Sequence, residues 1–304
     1  MDRVIILIEE LKTFITVVDK KSFTKAANTI NISQPSVSLH IKLLEKKFNT
    51  RLIERSNKQR NILITQTGEI LYKKAKQIIS LIDDTKDELD NYHNSTSGTL
   101  KIGASMTIGE FLLPSILGEF IKEFPNIKLE VAIENTHNIY EKFKNYDIDI
   151  ALTEGSVPAH NYTSKNFYKD TMVIVTPNSF TYDKNIGLKP NLSNQTWMHR
   201  EEGSGTGEYL NIFLNTEGIS PKNFIILGSN YAIKEAVKNN LGVTFISSLV
   251  VADAATNNEL KIIATETKYN RFFSYLVHEK NLSKIATLFV EKLEKFSCRN
   301  IKNQ

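Results

Sequence analysis

Through residues 7–48 the apolar positions recur every three or four residues, the period of a helix with one buried face. Leu7, Leu11, Phe14, Ile15 and Val18 predict a first amphipathic helix. Ser22 can cap a second, whose inward face is Phe23, Ala26, Ala27 and Ile30, the alanines letting a neighbouring helix come close. Asn31-Ile32 predicts the turn and Ser33 the next cap, while Pro35 falls in the first turn of a third helix, where its missing N–H costs nothing. Val37, Ile41, Leu44 and Phe48 make the core face of that helix, and Asn49 follows as a left-handed C-terminal cap. The period then shortens to two, and "RLIERSNKQRNILIT" (51–65) reads as two short strands around a polar tip.

Thr65 is placed to cap a long helix running to about His93. Along it Leu71, Ala75, Ile78, Ile82, Thr85, Leu89 and Tyr92 alternate spacings of four and three. That is an a/d seam over three heptads and predicts pairing with a second copy; the alternative is a helix packed on its own domain. Residues 94–98, "NSTSG", read as a hinge by composition. From residue 99 short apolar runs alternate with helical patterns: "LKIGAS", a helix from about Thr107 to Glu123, "IKLEVAI" and "IDIALTE". A second set follows: "TMVIVTP", "TWMHRE", "FIIL" and "GVTFIS", then "RFFSYLVHE" and a last helix from about Leu282. This is α/β grammar with mainly parallel strands expected, in two lobes joined by crossing strands around a cleft.

Charge changes the picture of the first part. Residues 1–76 carry 15 Lys/Arg against 7 Asp/Glu, whereas the remainder is net acidic. A basic head on an acidic body suits a head that meets a polyanion, unless the split is chance in a Lys-rich chain. The outward face of the third helix holds Pro35, Ser38, Leu39, Lys42 and Lys46, with Ser33, Gln34 and Ser36 near its start. Hydroxyls and Gln34 can bond base edges, Leu39 and Pro35 can pack on thymine methyls, and lysines can meet phosphates, so the pattern predicts a helix for the DNA major groove. Arg51, Arg55, Lys58 and Arg60 on the hairpin make a basic wing beside it, or a structural hairpin with incidental charge.

Phe14, Ser22-Phe23-Thr24, Ala26-Ala27, Ser33-Gln34-Pro35-Ser36-Val37-Ser38, Ile41, Leu44-Glu45, Leu52, Arg55, Thr65 and Gly68 together resemble the LysR-type transcriptional regulators. The resemblance extends through Gly98, Ile102-Gly103, Pro114, Glu154-Gly155, "REEGSGT" (200–206) and residues 228–248, nearly the whole chain. These later pieces are similar to the branch containing regulators of sulfur assimilation and carbon fixation, which implies a role in sulfur or amino-acid metabolism. The chain departs from the common pattern at Asn49, Ile53, Leu39 and His40, and at Gly207, where many relatives have Arg. The resemblance implies a winged helix-turn-helix DNA-binding domain over 1–65 (helix-turn-helix about 22–47), a linker and dimerisation helix over 66–93, and a periplasmic-binding-protein-like effector domain over 99–304. In that domain lobe I covers about 99–167 and 269–304, and lobe II about 168–268. Dimerisation is assigned to Leu71, Ala75, Ile78, Ile82 and Leu89, a dimer or tetramer is expected, and two reading heads predict a near-palindromic operator.

Three stretches are expected at the cleft: Ser105-Met106-Thr107, then Gly203-Ser204-Gly205-Thr206, then Ser229 with Asn230. Each precedes or opens a helix, where free N–H groups receive anions, and Arg200 adds a carboxylate or phosphate partner. The reading is a small anionic effector; the alternative for each is a simple cap. "GSGTG" lacks the spacing of a dinucleotide loop. The six histidines show no close metal-ligand spacing, no nucleophile motif appears, and Asp147 and Asp149 read as structural, so no catalytic residue, metal or cofactor is expected. A solute-binding protein would explain the body alone, but not the basic head. No run approaches the roughly 20 apolar residues of a membrane span. "VIILI" is too short for a signal peptide and Cys298 stands alone, so a cytoplasmic protein is expected.

Overall fold

The computed structural model describes residues 2–55, 62–90, 97–155, 157–158, 162–264, 269–278 and 282–301. They form two compact units divided after Tyr92. The first contains α1 (Asp2–Lys20), α2 (Phe23–Thr29), α3 (Gln34–Lys47), an antiparallel hairpin of β1 (Ile53–Arg55) and β2 (Ile62–Ile64), and α4 (Gln66–Asp90). Phe14, Val17, Ala26, Val37, Leu44 and Leu52 close its core.

Local chemistry sets the joints. Ser22 Oγ accepts from Lys25 N and Ser33 Oγ from Ser36 N, so both hydroxyls cap the helices they precede. Asn31 and Asn49 take φ of +56° and +48°, the left-handed turns that end α2 and α3. Glu45 Oε1 accepts from Leu52 N at 2.9 Å and so fastens the recognition helix to the hairpin. Gly68 is required by contact: a Cβ there would lie 2.2 Å from Leu52 O and 2.7 Å from Ile64 Cγ1. Gly68→Ala is therefore expected to destabilise this unit by about 1–3 kcal/mol through overpacking, despite alanine's better helix propensity. Calorimetric melting checks it, and a raised midpoint would refute the contact.

Along α4 the expected seam divides. Ala75 is fully buried in the head's own core and so is not available to a second chain, whereas Leu71 packs on the same cluster but is only partly buried. The outward stripe starts at Ile78 and continues through Leu81 and Leu89, with Ile82 partly covered. Tyr92 and most of the hinge lie outside the described residues.

The second unit is built on a seven-stranded mixed sheet. β3 (Gly98–Ser105) lies between β4 (Ile127–Glu134) and β5 (Ile150–Glu154), all parallel. Its buried Leu100, Ile102 and Ala104 meet α5 (Leu113–Glu123) and the C-terminal α11 (Lys284–Ile301); α6 (Thr136–Lys144) covers the opposite face. A π-helical turn (Ile108–Leu112) precedes α5: Pro114 has no N–H for Glu110 O, and Leu113 N bonds Ile108 O instead.

Two long strands, β6 (Thr163–Pro177) and β11 (Tyr269–Val277), run antiparallel through both lobes. The first half of β6 belongs to lobe I. Its second half pairs with β9 (Thr244–Ser247) and β10 (Leu260–Ile263) in lobe II. The sheet is thus mixed, not mainly parallel, because the connecting strands must return. Lobe II adds α7 (Leu188–Leu192), a parallel pair of β7 (Thr196–Arg200) and β8 (Asn223–Leu227), α8 (Gly205–Thr216), α9 (Asn230–Lys238) and α10 (Ser248–Thr256). Its core centres on Trp197 and the stacked Phe213 and Phe245.

Candidate functional site

On the head, α3 presents Gln34, Pro35, Leu39, Lys42 and Lys46 to solvent, and Leu39 is 54% exposed. Gln34 Nε2 donates to Ser38 Oγ at 3.1 Å, one turn on. Ser33 and Ser36 are bonded to each other at 2.8 Å, which commits them to the cap. His40 does not share the outward face. Its Nδ1 lies 2.8 Å from Thr13 Oγ1 on α1, whose own hydrogen goes to Glu9 O. Nδ1 must therefore be the donor and the ring braces α3 against α1. The side chain of Arg55, and Lys58 and Arg60, lie outside the described residues; Arg51 is exposed.

In the body, the cleft residues expected from the sequence meet around charges that were not in that set. Arg271 is wholly buried and faces Asp170, its cross-strand partner where β11 crosses β6. Its Nε donates to Asp170 Oδ2 at 2.7 Å, Nη1 to Thr206 Oγ1 and Nη2 to Thr107 Oγ1, both at 3.2 Å. Nη2 also lies 2.6 Å from Glu154 Oε2, close enough to pair but not aligned as a hydrogen bond. Ser247 Oγ donates to Asp170 Oδ1 at 2.7 Å. Burial raises the Asp170 carboxyl, Arg271 and Ser247 pull it back, and the balance stays above the ordinary aspartate value.

The chain of contacts continues into lobe II. Asn230 Nδ2 donates to Thr107 Oγ1 at 3.0 Å, and Arg200 Nη1 donates to Asn230 Oδ1 at 2.7 Å. Thus the starts of the π-turn, α8 and α9 converge on one buried polar network. Ser105 Oγ, two residues before Thr107 in the chain, is buried and has no hydrogen-bond partner among the described residues. Ser204 and Ser229 instead cap their own helices, accepting from Gly207 N and Ala232 N. Met106 is half-buried beside Thr107. Gly203 adopts φ of +83° and Gly205 presses on lobe I, where a Cβ would sit 2.2 Å from Glu154 O. Beyond this turn, a cavity of about 540 Å³ opens between α6 and α8, lined in part by His137, Tyr140, His199 and Asn211.

Sequence reasoning did not single out Asp170, Arg271 or Asn135, and noted Glu154 and Glu201 only within the stretches that carry the resemblance. The available signal was a lone charge inside an apolar strand: Arg271 before "FFSYLV" and Asp170 before "TMVIV". Asp149 fixes strand ends, accepting from Lys101 N at 2.8 Å. No group of three or more His, Cys, Asp or Glu among the described residues could hold a metal, and no described helix is long and apolar enough to cross a membrane.

Residues 8–69 match the family described as bacterial regulatory helix-turn-helix protein, lysR family, and residues 93–297 match the LysR substrate binding domain. The HTH-type transcriptional regulator CysL of Bacillus subtilis (strain 168) is 42% identical over 255 residues, 83% of this chain and 84% of that protein. A probable RuBisCO transcriptional regulator of Phaeodactylum tricornutum is 30% identical, covering 95% of this chain and 96% of its own. Among solved structures, ArgP from Mycobacterium tuberculosis superposes with a TM-score of 0.74 at 13% identity, over 95% of this chain and 96% of that one, a likeness of fold. With both a helix-turn-helix head and a two-lobed substrate-binding body matched, the chain belongs to the LysR family of DNA-binding transcriptional regulators.

Proposed function

We propose that this regulator reads a near-palindromic operator as a homodimer or higher oligomer, and that a small oxyanion-bearing metabolite in the interlobe cleft governs how the heads engage and bend DNA. One observation carries the ligand half of the reading: Thr107, Thr206 and Asn230, each at a helix start, are bonded into one network with Arg200 and Arg271, and Ser105, two residues before Thr107 in the chain, has a buried hydroxyl with no hydrogen-bond partner among the described residues. Free N–H groups at such starts, with two guanidinium groups nearby, favour a carboxylate, sulfate or phosphate. Ligand binding across two lobes that share β6 and β11 shifts the balance between their arrangements. The apolar stripe of α4 from Ile78 to Leu89 supports pairing of two copies. The reading places the protein in the cytoplasm, without catalytic activity, and the branch it resembles points to sulfur or amino-acid metabolism.

Isothermal titration of the full chain with a panel of small carboxylates, phosphates and sulfates tests the ligand. Tight binding of neutral or cationic compounds alone, untouched by Ser105→Ala or Thr206→Ala, would remove the anionic reading. Gel shifts against the DNA upstream of the protein's own gene test the DNA half. Lys42→Ala is expected to weaken binding to all sequences alike and to flatten the log–log salt slope by about one. A loss confined to particular base pairs would reassign Lys42 from phosphate to base.

A further inference from the structure

Arg200 is 1% exposed, yet the partner of its outer edge is not part of the core. Its Nε donates to Glu201 Oε2 at 2.8 Å and its Nη2 to Glu201 Oε1 at 2.7 Å, a two-pronged contact with the carboxylate of the very next residue. The Glu201 side chain keeps 30% of its exposure. On the opposite edge, Nη1 is locked to Asn230. The guanidinium is therefore held rigidly from inside and presents a fork to a site that solvent reaches. A planar fork of this kind takes any bidentate oxyanion.

The same carboxylate also ties the lobes together. Asn135 Nδ2 in lobe I donates to Glu201 Oε1 at 3.3 Å. The Asn135 amide has one usable orientation, because its Oδ1 accepts from Asn138 N at 2.9 Å to cap α6. Two residues on, His137 N donates to Gly203 O at 3.1 Å, a second bond from lobe I to the same turn. Every donor on Glu201 thus suits an anion, and moving Glu201 would break one inter-lobe bond and slacken its neighbour.

We infer that Arg200 forms an oxyanion subsite which the chain fills with its own Glu201, and that a ligand's oxyanion displaces Glu201 and frees the turn from Asn135. This rests on the reading that the cleft takes an anion, and adds how binding is coupled to lobe movement. Glu201 acts as a tethered competitor at high effective concentration, so it holds the apparent affinity of any oxyanion well below its intrinsic value. It also sets a direction: occupancy loosens the contact between this turn and α6.

Inorganic sulfate titrated calorimetrically into the full-length protein is the direct probe, with Glu201→Gln and Glu202→Gln compared. Both remove one negative charge from the same turn, but only Glu201 contacts Arg200. Glu201→Gln is expected to bind sulfate about tenfold more tightly than the parent, and Glu202→Gln within about twofold of it, since the neutral amide competes less well than a charge-assisted carboxylate. Hydrogen exchange at the His137 amide should quicken in Glu201→Gln and in the parent with sulfate. Equal gains in the two variants would reduce the effect to general charge, and a Glu201→Gln protein that binds sulfate no better, or not at all, overturns the competitor. If Glu201→Gln proves unfolded by circular dichroism, Glu201→Asp keeps the charge but shortens the reach; tightening of a few-fold supports the inference and unchanged affinity overturns it. The broader reading is tested apart from this: a carboxylate or phosphate whose binding needs Ser105 and Thr206 but ignores Glu201 leaves the anionic cleft standing and removes only the competitor.

Discussion

Arg271→Met is expected to destabilise the body by about 3–5 kcal/mol, the range for removing one partner of a buried ion pair. Methionine roughly fills the space, so the cost comes from what is left behind. Asp170 and Glu154 are both nearly inaccessible, and Arg271 is the cation that both of them contact. Thr107 and Thr206 lose a donor together, so the cleft is disorganised along with the crossing strands. The readout is convenient because the chain's single tryptophan, Trp197, is buried in lobe II and the head has none. Denaturation followed by its fluorescence therefore reports the body alone. Adding Asp170→Asn and Glu154→Gln to Arg271→Met should restore much of the loss by removing the stranded charges. A cost below about 1 kcal/mol for the single variant would mean that water or a shifted backbone replaces the arginine, and that the ion triad does not hold the crossing strands.

The sign of the pH dependence follows from the same group. Burial leaves the Asp170 carboxyl above its ordinary value in the folded protein, so the folded state holds this proton more firmly than the unfolded chain. Its contribution to stability is present at low pH and declines as pH rises through the window between the ordinary aspartate value and the raised one. Glu201 behaves oppositely. Burial pushes its carboxyl up, but the hydrogen bonds and charge of Arg200, with help from Asn135, leave it below the ordinary value. Its contribution is kept at neutral pH and lost in acid. In Arg271→Met the cation that restrains Asp170 is gone and its window extends upward. The gap in denaturation midpoint between variant and parent should narrow as pH falls from about 7 to about 4. A gap that widens in acid would contradict the assignment of Asp170.

What the sequence disclosed, and what it withheld, follows the range of the interactions. Ser22, Ser33, Asn31 and Asn49 act on backbone within four residues of themselves, so their identity and position were enough. The two lobes were legible from the alternation of strands and helices, although β6 begins at Thr163, ahead of the apolar run that announced it, because its first half carries Lys165, Asn166 and Lys169 at the surface. Arg271 and Asp170 are 101 positions apart and meet only through the register of two crossing strands, which no local pattern encodes. Ala75 misled for a related reason: a seam of period 3.5 is the same whether it faces a second copy or the chain's own core. Its small side chain, like those of Ala26 and Ala27, marks close packing inside the head. His40 stood out in the sequence only as a departure from the family pattern; it lies on the flank where α1 supplies Thr13, a contact set by tertiary packing that no local pattern encodes.

For the head, Gln34→Ala is expected to cost about 1–3 kcal/mol, or about 5- to 150-fold in affinity, and only on operators that retain particular base pairs. In the free protein the Gln34 amide nitrogen rests on Ser38 Oγ, so the side chain is already drawn along the helix face with its carbonyl oxygen and second N–H unclaimed among the described residues. That donor–acceptor pair matches the N7 and N6 edge of adenine in the major groove. Leu39, more than half exposed on α3, stands on the same face and is expected to favour a thymine methyl nearby. Selection of operators from a randomised pool separates these roles. Gln34→Ala should flatten preference at one position of each half-site, Leu39→Ala should relax a different one by a smaller factor, and Lys42→Ala should leave the selected sequence unchanged. Ser38→Ala adds the decisive comparison, because it removes the rest for Gln34 without removing the reader. Preference at the Gln34 position should then weaken but persist, as expected when only preorganisation is lost. Uniform loss of affinity in Gln34→Ala, with the selected sequence intact, would place Gln34 on the phosphate backbone and leave Leu39 as the residue of α3 that distinguishes bases.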